Sequence, residues 1–196
     1  MATTVAKRVD DIPRKWYRHE ELESLVLSTC KLGGQLRLLG KLEDALLQVS
    51  YYDAREHCLV LSSVSTPYRL FALALSILSP STSAYATAPY EDAFNWSEVM
   101  QTLKALASYE RYHWPQTEFY VVDFRSQLKA EVDRDKLFEL DRESHREATQ
   151  SGGLLKYWFG TPDSERKNLA TCMSLISNIL TLVRSLARQS RCHCRG

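Results

Sequence analysis

The order of predicted elements after residue 116 constrains the fold of this chain more than any other feature. Three segments rich in aromatic and aliphatic side chains predict strands, and a helix is predicted between the first two of them. That helix ends at Gly152 and Gly153, because glycine commonly ends helices. Strand, helix, strand, hairpin, strand is the first two-thirds of a βαββαβ unit. The predicted strands span residues 119–124, 154–159 and 168–172, and the helix begins at Asp133 or Asp135.

The preceding segment is predicted to be mainly helical. Residues 67–78 are apolar nearly all round and begin with Pro67 after Thr66, which predicts a buried core helix. Apolar residues at helical spacing over 96–107 predict a second, amphipathic helix. We also predict a short strand at 25–28, a helix at 42–51 and a short strand at 59–61.

These elements predict an α+β protein with a helical N-terminal part and an incomplete ferredoxin-like C-terminal part. The predicted division of the chain has four segments. They are a flexible N-terminus (1–20), a mainly helical part (21–115), a truncated βαββ part (116–172) and a basic amphipathic tail (173–196).

Charge and composition exclude several classes of protein. The 196 residues carry a net charge of only +1, which gives no support to nucleic-acid binding, and 44% of them are hydrophobic. The longest apolar run, residues 70–78, is too short to span a membrane, and the N-terminus lacks the apolar core of a secretory signal. Five irregularly spaced cysteines indicate reduced thiols. A cytoplasmic protein is therefore predicted, with a nuclear location left open.

The tail differs from the body of the chain. Residues 173–196 contain four arginines and no acidic residue, so residues 1–172 have 21 basic and 24 acidic side chains. A basic amphipathic helix would suit a membrane surface or a partner helix, which is one hypothesis. We favour another, a translated intron or a shifted frame, because Cys172-Met173-Ser174 can be encoded by codons that contain a fungal intron donor sequence.

Several motifs, taken together, resemble a fungal family of uncharacterised proteins. They are TPYRLFALAL at 66–75, FYVVDFR at 119–125, SGGLLKYWFG at 151–160 and NLATC at 168–172, with His145 in the helix before the third. The resemblance covers roughly residues 59–172, and the chain departs from the family after Cys172. The C-terminal half of that family resembles dimeric α/β-barrel proteins, which include cofactor-free monooxygenases and cyclases. This resemblance implies a fold and a possible homodimer but no particular activity.

Five residues are candidate site residues. Asp141 and His145 lie one helical turn apart, so the carboxylate is placed to orient the imidazole as a general base; an exposed helical pair is the alternative. Simple alternation along residues 154–159 places Leu155, Tyr157 and Phe159 on one face of the strand and Leu154, Lys156 and Trp158 on the other. The predicted ligand-binding residues are Arg125, Tyr157 and Trp158.

Two functions are predicted. The first is a small-molecule-binding protein or cofactor-free enzyme of the dimeric α/β-barrel type, acting on an aromatic or polyketide-like compound in fungal secondary metabolism. The second is a non-catalytic assembly protein that uses its sheet as a dimer interface. The sequence contains no Walker A, GxGxxG, HExxH or GxSxG motif, and no cofactor is predicted. Cys192-His193-Cys194 lacks a partner pair of ligands, so no metal is predicted either.

Overall fold

A computed structural model describes residues 15–32, 38–150 and 152–175. Helices and two small sheets alternate along the chain, which confirms the predicted α+β class. The tail beyond Leu175, and with it Cys192-His193-Cys194, lies outside the described residues. The strands are β1 (Trp16–Tyr17), β2 (Leu46–Gln48), β3 (Cys58–Val60), β4 (Tyr120–Gln127), β5 (Leu154–Phe159) and β6 (Lys167–Ser174). The helices are α1 (His19–Leu32), α2 (Leu38–Lys41), α3 (Thr66–Ala74), α4 (Tyr90–Ala93), α5 (Trp96–Tyr109) and α6 (Arg134–Gln150).

The N-terminal part packs α1, α3 and α5 beside a small sheet of order β1-β2-β3. Helix α3 has Pro67 in its first turn, where the missing N–H has no helical partner to lose. Five consecutive residues of α3, from Leu70 to Ala74, are buried, as expected for a helix that is apolar all round. The predicted core helix and the amphipathic helix α5 are thus confirmed.

Two predictions in the N-terminal part are wrong. Residues 25–28 belong to helix α1, in which Leu22 and Val26 lie one turn apart and are both buried. Residues 42–51 contain strand β2, which pairs with β1 on one side and β3 on the other. Short apolar segments show no clear hydrophobic periodicity, so their own residues do not distinguish helix from strand. Strand β2 forms because it pairs with β1 and β3. The strand predicted at 59–61 is confirmed as β3.

The second sheet has the order β4-β6-β5, and β6 is antiparallel to both of its neighbours. Strands β4 and β5 therefore run parallel to each other, and α6 connects them along the chain. This is the arrangement of a split β-α-β unit. Gly152 and Gly153, with φ of 81° and 83°, follow the end of α6 in a backbone conformation that other residues rarely adopt.

A β-bulge between Leu154 and Lys156 changes which side chains share a face of the second sheet. One face packs on α6, and the other packs on the N-terminal part in one large core. The faces that simple alternation predicts for Leu154 and Leu155 are therefore wrong. The extra residue of the bulge places Leu154 on the α6 face and Leu155 on the other. The α6 face contains Val122, Phe124, Leu154, Tyr157, Phe159 and Cys172, and the other contains Leu155, Trp158, Leu169 and Met173.

Gly160 lies against the ring of Tyr85. A Cβ at this position would overlap the Tyr85 ring. The Tyr85 hydroxyl donates to the Thr161 carbonyl oxygen at 2.7 Å and accepts from the Thr161 N–H at 2.8 Å. A larger residue at position 160 must therefore displace the ring and its two hydrogen bonds.

We expect Gly160→Ala to lower the free energy of unfolding by about 1–3 kcal/mol, the usual cost of overpacking. Urea denaturation of the full chain measures this change. Gly40→Ala is the matched control, since a Cβ there would meet no atom within 4 Å. Equal losses in the two variants would contradict the packing described for Tyr85.

Among residues 15–32, 38–150 and 152–175, no helix has both the length and the apolar composition to cross a membrane. Cys58 and Cys172 are buried free thiols. Burial raises the pKa of Cys58 to about 11 and that of Cys172 to about 12, so both stay protonated at neutral pH.

Candidate functional site

Five polar and aromatic side chains meet between α6, β5 and the loop that follows β2; we call them the Tyr–His–Asp cluster. Asp141 and His145 lie one turn apart on α6, and Tyr157 lies on β5. Tyr52 and His57 belong to the loop between β2 and β3. The Tyr157 N–H donates to the carbonyl oxygen of Val49 at 2.8 Å, which holds this loop beside β5.

The carboxylate of Asp141 accepts a hydrogen bond from each of two tyrosines. The Tyr52 hydroxyl donates to Oδ2 and the Tyr157 hydroxyl to Oδ1, each at 2.5 Å. Burial, and then the facing carboxylate, raise the pKa of both hydroxyls well above the ordinary value. Both tyrosines are therefore hydrogen-bond donors at neutral pH, and Asp141 fixes their orientation.

Two histidines form a buried pair in the same cluster. His57 Nδ1 and His145 Nδ1 are 2.8 Å apart, and the two side chains are buried. Burial, and then the neighbouring His57, lower the pKa of His145 to about 3. Burial also lowers the pKa of His57. Both rings are neutral at pH 7, so one Nδ1 carries a proton and donates a hydrogen bond to the other Nδ1, which is unprotonated.

The surroundings of His145 indicate which ring donates. His145 Nε2 is buried and has no hydrogen-bond partner among the described residues. The Thr149 hydroxyl donates to the His145 carbonyl oxygen at 2.9 Å. The lone pairs of the Thr149 oxygen therefore face His145 Nδ1, which lies 3.4 Å away. A buried unpaired N–H is rarer than an under-satisfied acceptor. We therefore assign the proton to His145 Nδ1, which leaves Nε2 as an unprotonated lone pair.

Aromatic rings surround the histidine pair. The Tyr52 ring stacks on His57 with centroids 4.8 Å apart, and it also contacts His145 and Phe138. Phe138 is 51% exposed, so an aromatic side chain lies between Tyr52 and the solvent. Such a wall suits contact with a flat apolar molecule.

The structure brings together three of the five predicted site residues. Asp141, His145 and Tyr157 belong to the cluster, although His145 is buried, unlike the exposed helical pair considered as the alternative. The hydrogen bonds described above join Asp141 to two tyrosines and His145 Nδ1 to the ring of His57.

The other two predicted site residues lie on the opposite face of the sheet. Arg125 donates from Nη1 to the Ala86 carbonyl oxygen and from Nε to Asp123, both at 3.0 Å. Trp158 packs in the large core, edge-on to Phe94 and Tyr85. Both side chains join the sheet to the N-terminal part.

Sequence reasoning missed Tyr52 and His57. Tyr52 lies 89 residues before Asp141, and His57 lies 88 residues before His145. No motif or periodicity connects positions so far apart, and only the residue types could have suggested them. Among the described residues, no group of three His, Cys, Asp or Glu side chains is placed to hold a metal ion.

The fold and the cluster define a class of protein, an α+β chain with a buried histidine pair packed against its split β-α-β sheet. A family model described as PB2B2.08-like matches residues 48–175, and the chain belongs to this family. All five residues of the Tyr–His–Asp cluster lie within the matched range. The match confirms the fungal family of uncharacterised proteins indicated by the sequence motifs.

A relative in the fission yeast Schizosaccharomyces pombe is the UPF0643 protein PB2B2.08. It is 41% identical over 137 residues, which cover 66% of this chain and 62% of the yeast protein. The chain therefore spans less than two-thirds of that relative's length. No solved structure matches the chain.

We expect Tyr157→Phe to lower the free energy of unfolding by about 1–2 kcal/mol, because Asp141 loses a buried donor. Tyr120→Phe is the control, since Tyr120 is exposed on β4. Urea denaturation of Tyr157→Phe, of Asp141→Asn and of the double variant gives the coupling free energy between positions 157 and 141. Additive losses would contradict the hydrogen bond.

Proposed function

We propose that the protein is a cofactor-free enzyme that binds a small organic molecule and moves a proton through the His57–His145 pair. The observation that carries this proposal is His145 Nε2, an unpartnered nitrogen on a buried neutral ring. A positioned neutral imidazole is the commonest general base in proteins. The dimeric α/β-barrel type of enzyme is supported by the split β-α-β order of the second sheet.

The histidine pair would act as a relay. His145 Nε2 takes a proton from the substrate while the proton on His145 Nδ1 passes to His57 Nδ1, which lies 2.8 Å away. His145 is neutral before and after the step, which agrees with its low pKa. The added positive charge lies on His57, whose pKa burial lowers, although the neighbouring Glu56 carboxylate opposes this shift. Negative charge then develops on the substrate.

The surroundings of the pair favour an aromatic or polyketide-like substrate. Tyr52 and Phe138 supply ring surface, and the positive charges of Arg142 and Arg146 act on His57. The rings would contact a flat molecule, and the positive charges would favour the enolate or phenolate that it becomes when it loses its proton. A compound with an acidic C–H between two carbonyls, or a phenol, has this chemistry.

Deuterium exchange tests the proposal without a known substrate. The full chain is incubated in D₂O with a panel of β-dicarbonyl compounds, starting with acetylacetone, and exchange of the C–H between the two carbonyls is followed by proton NMR. We expect accelerated exchange for at least one compound, reduced about 100-fold or more by His145→Asn. His113→Asn, at an exposed histidine, is the control. Equal exchange rates in the two folded variants would refute the proposal.

A second candidate function, assembly of two copies, is favoured by the edge of the second sheet. Both faces of this sheet pack within the chain, but among the described residues β4 pairs with β6 alone. Its Tyr120 and Val121 are exposed, and an unpaired strand edge can pair with another strand. Light scattering after size exclusion tests this candidate. A dimer that Val121→Lys converts to a monomer supports it, and a monomeric wild-type chain contradicts it.

A further inference from the structure

Lys156 is a buried lysine on β5 that the proposed proton relay does not use. Its side chain is 3% exposed, and Nζ lies 3.0 Å from His19 Nε2. Lysine is almost never fully buried unless it is paired with an acid. Among the described residues, however, no carboxylate lies within ion-pair distance of this Nζ. Its polar neighbour is an imidazole.

Lys156 lies on the other side of the sheet from the Tyr–His–Asp cluster. Across the bulge it pairs with Met173, whose side chain is in the large core, whereas the next residue, Tyr157, packs on the α6 face. His19 is the first residue of α1, so Lys156 and His19 join β5 to the N-terminal part. The lysine is thus a separate feature and not an outlying member of the cluster.

The two side chains form a donor and an acceptor. Burial, and then the charge of Lys156, lower the pKa of His19 to about 4, so its ring is neutral at pH 7 and accepts from Nζ. Burial lowers the pKa of Lys156 to about 8, although Glu23 opposes this shift. About one-tenth of Lys156 is therefore uncharged at pH 7, compared with less than about one-thousandth of an ordinary lysine.

Solvent lies close to this pair. The His19 side chain is 31% exposed, so the amine lies one hydrogen bond from a ring in contact with water. His19 Nδ1 lies 3.9 Å from the Glu23 carboxylate on the next turn of α1, which favours a proton on Nδ1 and leaves Nε2 as the acceptor.

We propose that Lys156 and His19 form a second site, which captures an aldehyde or ketone as an imine. The uncharged Nζ attacks the carbonyl carbon and forms a C–N bond, and the carbonyl oxygen becomes a hydroxyl. His19 Nε2 transfers one amine proton to the oxygen to form this hydroxyl and later the second amine proton to the hydroxyl, which leaves as water when the C=N bond forms. No group is oxidised or reduced. The amine is the catalytic residue, because it bonds to the substrate, and His19 transfers the proton.

Competitive labelling tests the proposal on the full chain. The protein is treated briefly at pH 7 with propanal and sodium cyanoborohydride, which reduces each imine to a stable secondary amine, and peptide mass spectrometry measures the rate at each lysine. Exposed Lys41 and Lys104 are the internal references. His19→Gln keeps a hydrogen-bond acceptor but removes the base. Lys156→Met, an apolar residue of similar length, verifies the assignment of the label.

We expect Lys156 to be labelled about tenfold or more faster than Lys41 and Lys104. His19→Gln is expected to slow labelling at Lys156 by about tenfold and to leave the two reference lysines unchanged. Labelling of Lys156 at or below the rate of the references overturns the proposal, and so does fast labelling that His19→Gln does not change. Because His145→Asn tests the relay on the other face of the sheet, the two proposals fail independently.

Discussion

Replacing Trp158 with alanine is expected to lower the free energy of unfolding by about 3–5 kcal/mol, as for other buried aromatic residues. Trp158 is 5% exposed and lies edge-on to Phe94 at 4.9 Å and to Tyr85 at 5.2 Å. It belongs to the core that joins β5 to the N-terminal part. The loss therefore affects the whole chain, and urea denaturation followed by circular dichroism measures it.

Phe138→Ala is the matched control for Trp158→Ala. Both changes remove an aromatic ring, but Phe138 is about half exposed and contacts Tyr52 at the surface of the cluster. We expect a loss below about 1 kcal/mol in this variant, because less apolar surface leaves the core. The sequence predicts Trp158 as a ligand-binding residue instead. Unchanged stability of Trp158→Ala would contradict the packing role described for this ring.

Acid is expected to destabilise the chain because His57 and His145 are buried in the neutral form. In the folded chain burial keeps His145 unprotonated until about pH 3, whereas an unfolded histidine takes up a proton near pH 6.5. The unfolded state therefore binds more protons between these values, and stability falls as the pH falls through this range. From His145 alone we expect a loss of about 3 kcal/mol between pH 7 and pH 4.

Urea denaturation at pH 7, 6, 5 and 4 measures this dependence. His145→Asn is the informative variant, because the amide can replace the Nδ1 hydrogen bond but does not titrate. We expect its stability to fall less steeply with acid than that of the wild-type chain. His57 and His19 have lowered pKa values and act in the same direction, so part of the slope remains. Identical slopes in the wild-type chain and in His145→Asn would contradict the burial of a neutral His145.

The C-terminal sheet could be predicted from the sequence because its signals are local. The strands at Leu154–Phe159 and Lys167–Ser174 are aromatic or aliphatic segments separated by a polar loop, and two glycines end α6. The core helix α3 has an equally local signal, with proline in its first turn and apolar residues on all sides. Each of these elements is determined mainly by its own residues.

The errors share a different physical origin. Strand β2 is short and depends on pairing with β1 and β3, and the β-bulge at Leu154 is defined only by the register with β6. Tyr52 and His57, which contact Asp141 and His145, come from a loop almost 90 residues earlier. A single sequence carries no record of such contacts. Three of the five cluster residues, Asp141, His145 and Tyr157, were therefore predictable from helical spacing and strand alternation, whereas Tyr52 and His57 were not.

The proposed relay depends on a neutral His145 with its proton on Nδ1 and an unpartnered Nε2. Nitrogen NMR of the histidine rings tests it most directly, because protonated and unprotonated ring nitrogens have well-separated shifts. We expect His145 to have a protonated Nδ1 and an unprotonated Nε2 at pH 7, and to show no titration down to pH 5. A proton on Nε2, or titration of His145 near pH 6.5, would contradict the proposed relay.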